Sequence, residues 1–182
     1  MFRIALLCFL LVSASAGAQD LTSDPFWRIN FLWPGAGFEY NLGNNQTLVA
    51  EAALQPYLEF ESVNNQNFSF ISINPMMSGQ YRYYYNLAKR KSNGLRSHYN
   101  SGNFVGGMVN LFLPAFITAG DTDEFGDPSG SGYSLGPVWG IQRTYDNGFN
   151  LNLALGLGLQ DRVGDAELAL IGGISLGYIL GF

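Results

Sequence analysis

FNLNLALGLGLQ, residues 149–160, decides the fold. Its odd positions are Phe149, Leu151, Leu153, Leu155, Leu157 and Leu159, and its even positions are Asn150, Asn152, Ala154, Gly156, Gly158 and Gln160. Successive side chains of an extended chain point to opposite faces, so one face is large and apolar throughout and the other small or polar. The run is about as long as the 9–11 residues a tilted strand needs to cross hydrocarbon. A soluble sheet would turn the large set inward, but the opposite face is too rich in glycine and asparagine to form a packed wall. The large set is therefore expected to meet lipid and the small set a narrow interior.

The same alternation runs outward from this stretch. Leu168, Leu170, Ile174, Leu176, Tyr178, Leu180 and Phe182 share one face of the final segment, and Ala169, Gly173, Ser175 and Gly177 the other. Tyr133 to Tyr145 reads as a strand with Leu135, Trp139 and Ile141 outward, joined to the leucine-rich strand by Asp146-Asn147-Gly148. Phe104 to Leu113, Ser69 to Leu87 and Gln46 to Phe60 are three more strands. Residues 26–42 are expected to hold two, because Ile29, Phe31 and Trp33 are odd while Phe38, Tyr40 and Leu42 are even, with Pro34-Gly35 at the switch. The expected fold class is all-β, a closed antiparallel transmembrane β-barrel of eight strands. Counting crossings puts the turns at Gly43 to Asn45, Ala88 to Asn103 and Asp146 to Gly148 in the periplasm. Pro34-Gly35, Glu61 to Asn67, Pro114 to Gly132 and Arg162 to Asp165 then fall outside the cell.

Residues 1–18 read as a signal peptide: Arg3 supplies a positive start, Ile4 to Val12 an apolar stretch, and Ala16-Gly17-Ala18 a small-residue cleavage site. Residues 19–182 are the expected domain, addressed to the bacterial outer membrane. Bulky Leu7 before Cys8 argues against a lipidation box. Cys8 is the one cysteine of the 182 residues, so its removal leaves neither a disulfide nor a thiolate metal site. Losing Arg3 takes the formal charge from −5 to −6, which argues against nucleic-acid binding.

Several residue groups carry candidate chemistry. Glu39, Glu51, Glu59 and Arg82 face inward and are expected to form a charge network inside a lumen filled by side chains. A gated or proton-linked pore is the alternative reading of that set. His98 is the one histidine, with Ser97 and Ser101 nearby; a lipid-modifying site would need nucleophile, base and orienting acid near the outer rim, and the strand count puts this stretch on the periplasmic side, so no catalytic residue is assigned. Asp121-Thr122-Asp123-Glu124-Phe125-Gly126-Asp127 offers oxygen ligands but lacks full calcium-loop spacing, so no metal ligand and no cofactor are assigned. Lys89, Arg90, Lys91 and Arg96 form the basic cluster, read as a solvated turn. Trp33, Trp139, Tyr81, Tyr83, Tyr85, Tyr145 and Tyr178 read as interfacial girdles.

The stretches PGAGFEYNLGNNQTL (34–48), QYRYYYNLAKR (80–90), SGNF (101–104) and GPVWGIQRTYDNGFNLNLALGLG (136–158) resemble small outer membrane barrels common in Bacteroidetes-type bacteria, of the OmpA/OmpX-like class. The closing ISLGYILGF is similar to the signal by which such barrels are recognised for insertion, carried by Ile174, Leu176, Tyr178, Leu180 and Phe182. The resemblance implies a fold, an address and, as partners, outer membrane lipid and the barrel assembly machinery. A structural or interaction role beside an envelope protein is the expected function. An enzyme modifying outer membrane lipid and a soluble lipocalin-like carrier are the rivals; fold alone does not choose among them.

Overall fold

The structure, a computed structural model, describes residues 23–63, 66–120, 131–161 and 166–180, the side chains of 57–70 excepted. Its strands are β1 (Phe26–Asn30), β2 (Gly35–Gly43), β3 (Gln46–Val63), β4 (Gln66–Tyr84), β5 (Asn103–Phe112), β6 (Ile117–Gly120), β7 (Gly132–Thr144), β8 (Phe149–Asp161) and β9 (Glu167–Leu180). One short helix, α1 (Leu87–Ser92), and a single 3₁₀ turn at His98–Asn100 lie between β4 and β5. No described helix is long and apolar enough to cross a membrane.

Every neighbouring pair is antiparallel, and eight strands form a ring in the order β1, β2, β3, β4, β5, β7, β8, β9, with β9 pairing back to β1. Residues 26–42 do hold two strands, Phe26 lying opposite Glu39 and Asn30 opposite Gly35. At the closing seam Trp27 to Asn30 pair with Leu180 to Gly177. The seam is prolonged past β1: Phe31 N–H donates to the Leu176 carbonyl at 2.7 Å and the Trp33 indole to the Ile174 carbonyl at 2.8 Å. Asn44 and Asn45 take positive φ in the two-residue turn between β2 and β3, the geometry that matches the twist of a hairpin. Gly148 does so between β7 and β8, where a side chain would also strike the Tyr178 ring.

Burial alternates along the ring strands where side chains are described, as β8 shows: Leu153, Leu155, Leu157 and Leu159 are exposed on the outer face, Asn150, Asn152 and Ala154 buried inside. Four details differ. Leu87, expected outward as the end of a long strand, is fully buried, because β4 stops at Tyr84 and the chain folds under the ring to begin α1. The stretch expected as an open loop contains β6, which pairs with residues 70–73 of β4 where β4 outruns β5. Trp33 lies in the β1–β2 turn rather than on a strand face. The interior is less polar than its sequence face suggests: Tyr84, Leu87, Phe104, Met108, Val138, Ala154 and Ile171 form a buried cluster within it.

The ring has two unlike ends. One, here the near end, carries the start of β1 and the end of β9, the tight turns at 44–45 and 145–148, and the α1 segment. At the far end β3 and β4 continue as a hairpin to Val63 and Gln66, beyond the level of β2 and β5, with β6 alongside.

Candidate functional site

The most unusual chemistry lies inside the ring near the end that α1 closes. Arg28, Gly37 and Glu51 sit side by side on β1, β2 and β3. Because Gly37 has no side chain, Arg28 extends across it and donates to Glu51 Oε2 at 2.7 Å; a Cβ at Gly37 would lie 3.1 Å from Arg28 Nε. Glu39, two residues further along β2 on the same face, is almost wholly buried and has its carboxylate between two arginines, 4.0 Å from Arg28 and 3.8 Å from Arg82. It also accepts hydrogen bonds from Thr47 (3.0 Å), Tyr84 (3.0 Å), Asn100 (2.7 Å) and Gln142 (3.1 Å). A buried carboxylate survives only with such partners, since isolated charge in a low-dielectric interior is strongly disfavoured.

Arg82 is completely buried. It donates to Gln80 Oε1 through Nε (2.9 Å) and Nη2 (2.7 Å), and to Gln142 Oε1 (2.8 Å), while its guanidinium lies 4.3 Å from the Phe104 ring centre. Phe104 can approach because Gly140 presents bare backbone to it. Two arginines and two glutamates thus cancel, and the layer is neutral as a unit.

The near end is capped from the same layer. Asn100 Nδ2 reaches Glu39, the Tyr99 carbonyl accepts from Gln142 (3.0 Å), and the Ser101 hydroxyl accepts from Thr144 N–H (3.2 Å). Tyr99 and Asn100 both hold left-handed φ, 50° and 53°, an uncommon conformation for residues with side chains. The segment is pinned further where Arg143 donates to the Gly102 carbonyl and Asn103 Oδ1, and Ser23 bonds Tyr99 and Asn100.

Of the sequence-predicted interior set, Glu39, Glu51 and Arg82 come together here; the Glu59 side chain lies outside the described residues. Arg28 was missed, although its signal was present: Ile29 is exposed, so an even neighbour must point inward. The assembly-signal residues Ile174, Leu176, Tyr178 and Leu180 share the outer face of β9, and Phe182 lies outside the described residues. His98 is exposed with its ring against Tyr99, and the Ser101 hydroxyl accepts from Thr144 N–H. Lys89, Arg90 and Lys91 form the last turn of α1, and Arg96 pairs with Asp146. The Asp121–Asp127 loop lies outside the described residues. Among the described residues, no three His, Cys, Asp or Glu side chains gather as a metal site.

No family model, curated protein or solved structure matches the chain significantly.

Proposed function

We propose that the chain is an integral β-barrel of the bacterial outer membrane, exported by residues 1–18, with a structural or interaction role in the envelope and no wide pore. The observation that carries this reading is the inversion of polarity: leucines cover the outside while Arg28, Glu39, Glu51 and Arg82 are buried within. A water-soluble monomer rarely exposes a continuous apolar surface of such extent. Toward the near end that surface is edged by Trp27, Tyr40, Tyr83, Tyr85, Trp139, Tyr145 and Tyr178, all exposed, with Trp139 donating to the Tyr85 hydroxyl at 2.9 Å. Amphipathic rings favour the boundary between hydrocarbon and head groups.

The polar layer and the cap close the lumen toward the near end, which favours an interaction role over conduction. The three-stranded extension of β3, β4 and β6 offers the surface for it, because among the described residues β3 beyond Leu54 and the outer side of β6 have no further strand partner. A lipocalin-like carrier would need Leu151 to Leu159 to line a cavity, and the exposed leucines of that stretch weigh against it. Among the described residues, His98 rests against Tyr99 and the Ser101 hydroxyl accepts from Thr144 N–H, an arrangement that lends the lipid-modifying enzyme no support.

The test is fractionation followed by gel mobility with and without heating. Retention in carbonate-washed outer membranes and a heat-dependent shift are expected; release by carbonate with uniform mobility would overturn the reading.

A further inference from the structure

Above the neutral charge layer, toward the far end, the ring interior is not filled. A cavity of about 310 Å³ remains, lined by Glu51, Gln55, Asn110, Asn152 and Ser175 from four different strands, with Met108, Ala154 and Trp33 also in its wall. Its floor is closed by the Arg28–Glu51 pair and by Gln80, which Arg82 holds. Asn152 is 6% exposed, and its Oδ1 has no hydrogen-bond partner. A buried acceptor left unpaired is costly unless something donates to it, so the position calls for an occupant.

From this cavity we infer that the protein binds a small, neutral, hydroxyl-rich molecule, of the size of one sugar ring, inside the ring. The volume sits at the small end of the range for ligand pockets, roughly 300–1,000 Å³. The charge is right for a neutral guest: Glu51 is the one ionisable side chain in the lining, and Arg28 already balances it. The lining mixes carboxamide groups, a hydroxyl and a carboxylate, which offers both donors and acceptors to groups that are themselves both. Trp33 supplies what a polyol ring also needs, a flat apolar surface; the bond from its indole to the Ile174 carbonyl holds that ring in place. None of this depends on whether the outer face meets lipid.

One glycine makes the inference testable without disturbing the wall. Gly173 lines the cavity, and a Cβ built there meets nothing within 4 Å, so Gly173→Leu should place its side chain in the empty space. The probes are the methyl glycosides of glucose, galactose and mannose, with glucuronate and glucosamine as charged counterparts, titrated calorimetrically into the folded full-length protein. Saturable binding of at least one neutral glycoside is expected, about tenfold or more tighter than either charged sugar, which corresponds to about 1.4 kcal/mol. Gly173→Leu should abolish it. Asn152→Ala, which deletes the unpaired acceptor without adding bulk, should weaken it about tenfold and serves if the leucine variant does not fold. Absence of saturable binding by every neutral glycoside, preference for a charged sugar, or binding unchanged in the variants that fold would each overturn the inference.

Discussion

Glu39 is the residue on which the interior is organised. Four neutral donors and two arginines converge on its carboxylate, so Glu39→Ala leaves buried Arg82 without its counter-charge, while Arg28 keeps Glu51. Breaking a buried pair from one side costs about 3–5 kcal/mol, and a loss of that size is expected in reversible urea unfolding. A change below about 1 kcal/mol would mean that the layer is hydrated rather than dry. Phe104 makes a second residue-scale case. Gly140→Ala puts a methyl where that ring lies, and overpacking of this kind costs about 1–3 kcal/mol. The same variant should disturb Arg82, whose guanidinium rests on the ring, so near-ultraviolet circular dichroism is the measurement to pair with stability.

At the scale of elements, β8 separates the two faces most cleanly. On the membrane reading Leu155→Arg should cost about 2–4 kcal/mol, because the outer face at that level is hydrocarbon. Asn152→Arg, aimed into the cavity, should cost less. Equal penalties for the two, measured by folding into vesicles, would contradict the assigned facing. The β3–β4 hairpin gives a different forecast. Gln46 to Pro56 pair with Tyr83 to Ile73 within or close to the ring, so deleting residues 57–70 and joining the ends by a short turn should leave heat-dependent gel mobility intact while removing the hairpin beyond the residues 71–73 that pair with β6. Loss of the folded band would show that the extension nucleates the ring.

The molecule as a whole is a ring blocked by its own side chains and by the 86–102 segment, and purified protein in planar bilayers is expected to give no stable conductance. Steady single-channel currents would overturn that picture. How much of it was legible beforehand depends on whether alternation or contact decides each part. The strands and the tight turns follow from period two and from Asn and Gly at positions of positive φ, which a sequence displays directly. The fate of Leu87 does not: its phase continues the pattern of β4, and only folding of the chain back under the ring buries it. β6 was illegible for a related reason, since it pairs with an overhang whose length no local pattern reveals. Arg28 was readable from parity alone, whereas its crossing of Gly37 to Glu51 needed the register of three strands.

The closing seam has a consequence for mechanics. β1 contributes five residues and meets β9 over four pairs, whereas β8 and β9 meet over twelve. Strain applied around the circumference would concentrate on that short join, held beyond its last pair by one amide and one indole. Opening there would convert the cylinder into a curved ribbon with β1 as one free margin, while leaving the rest of the wall intact.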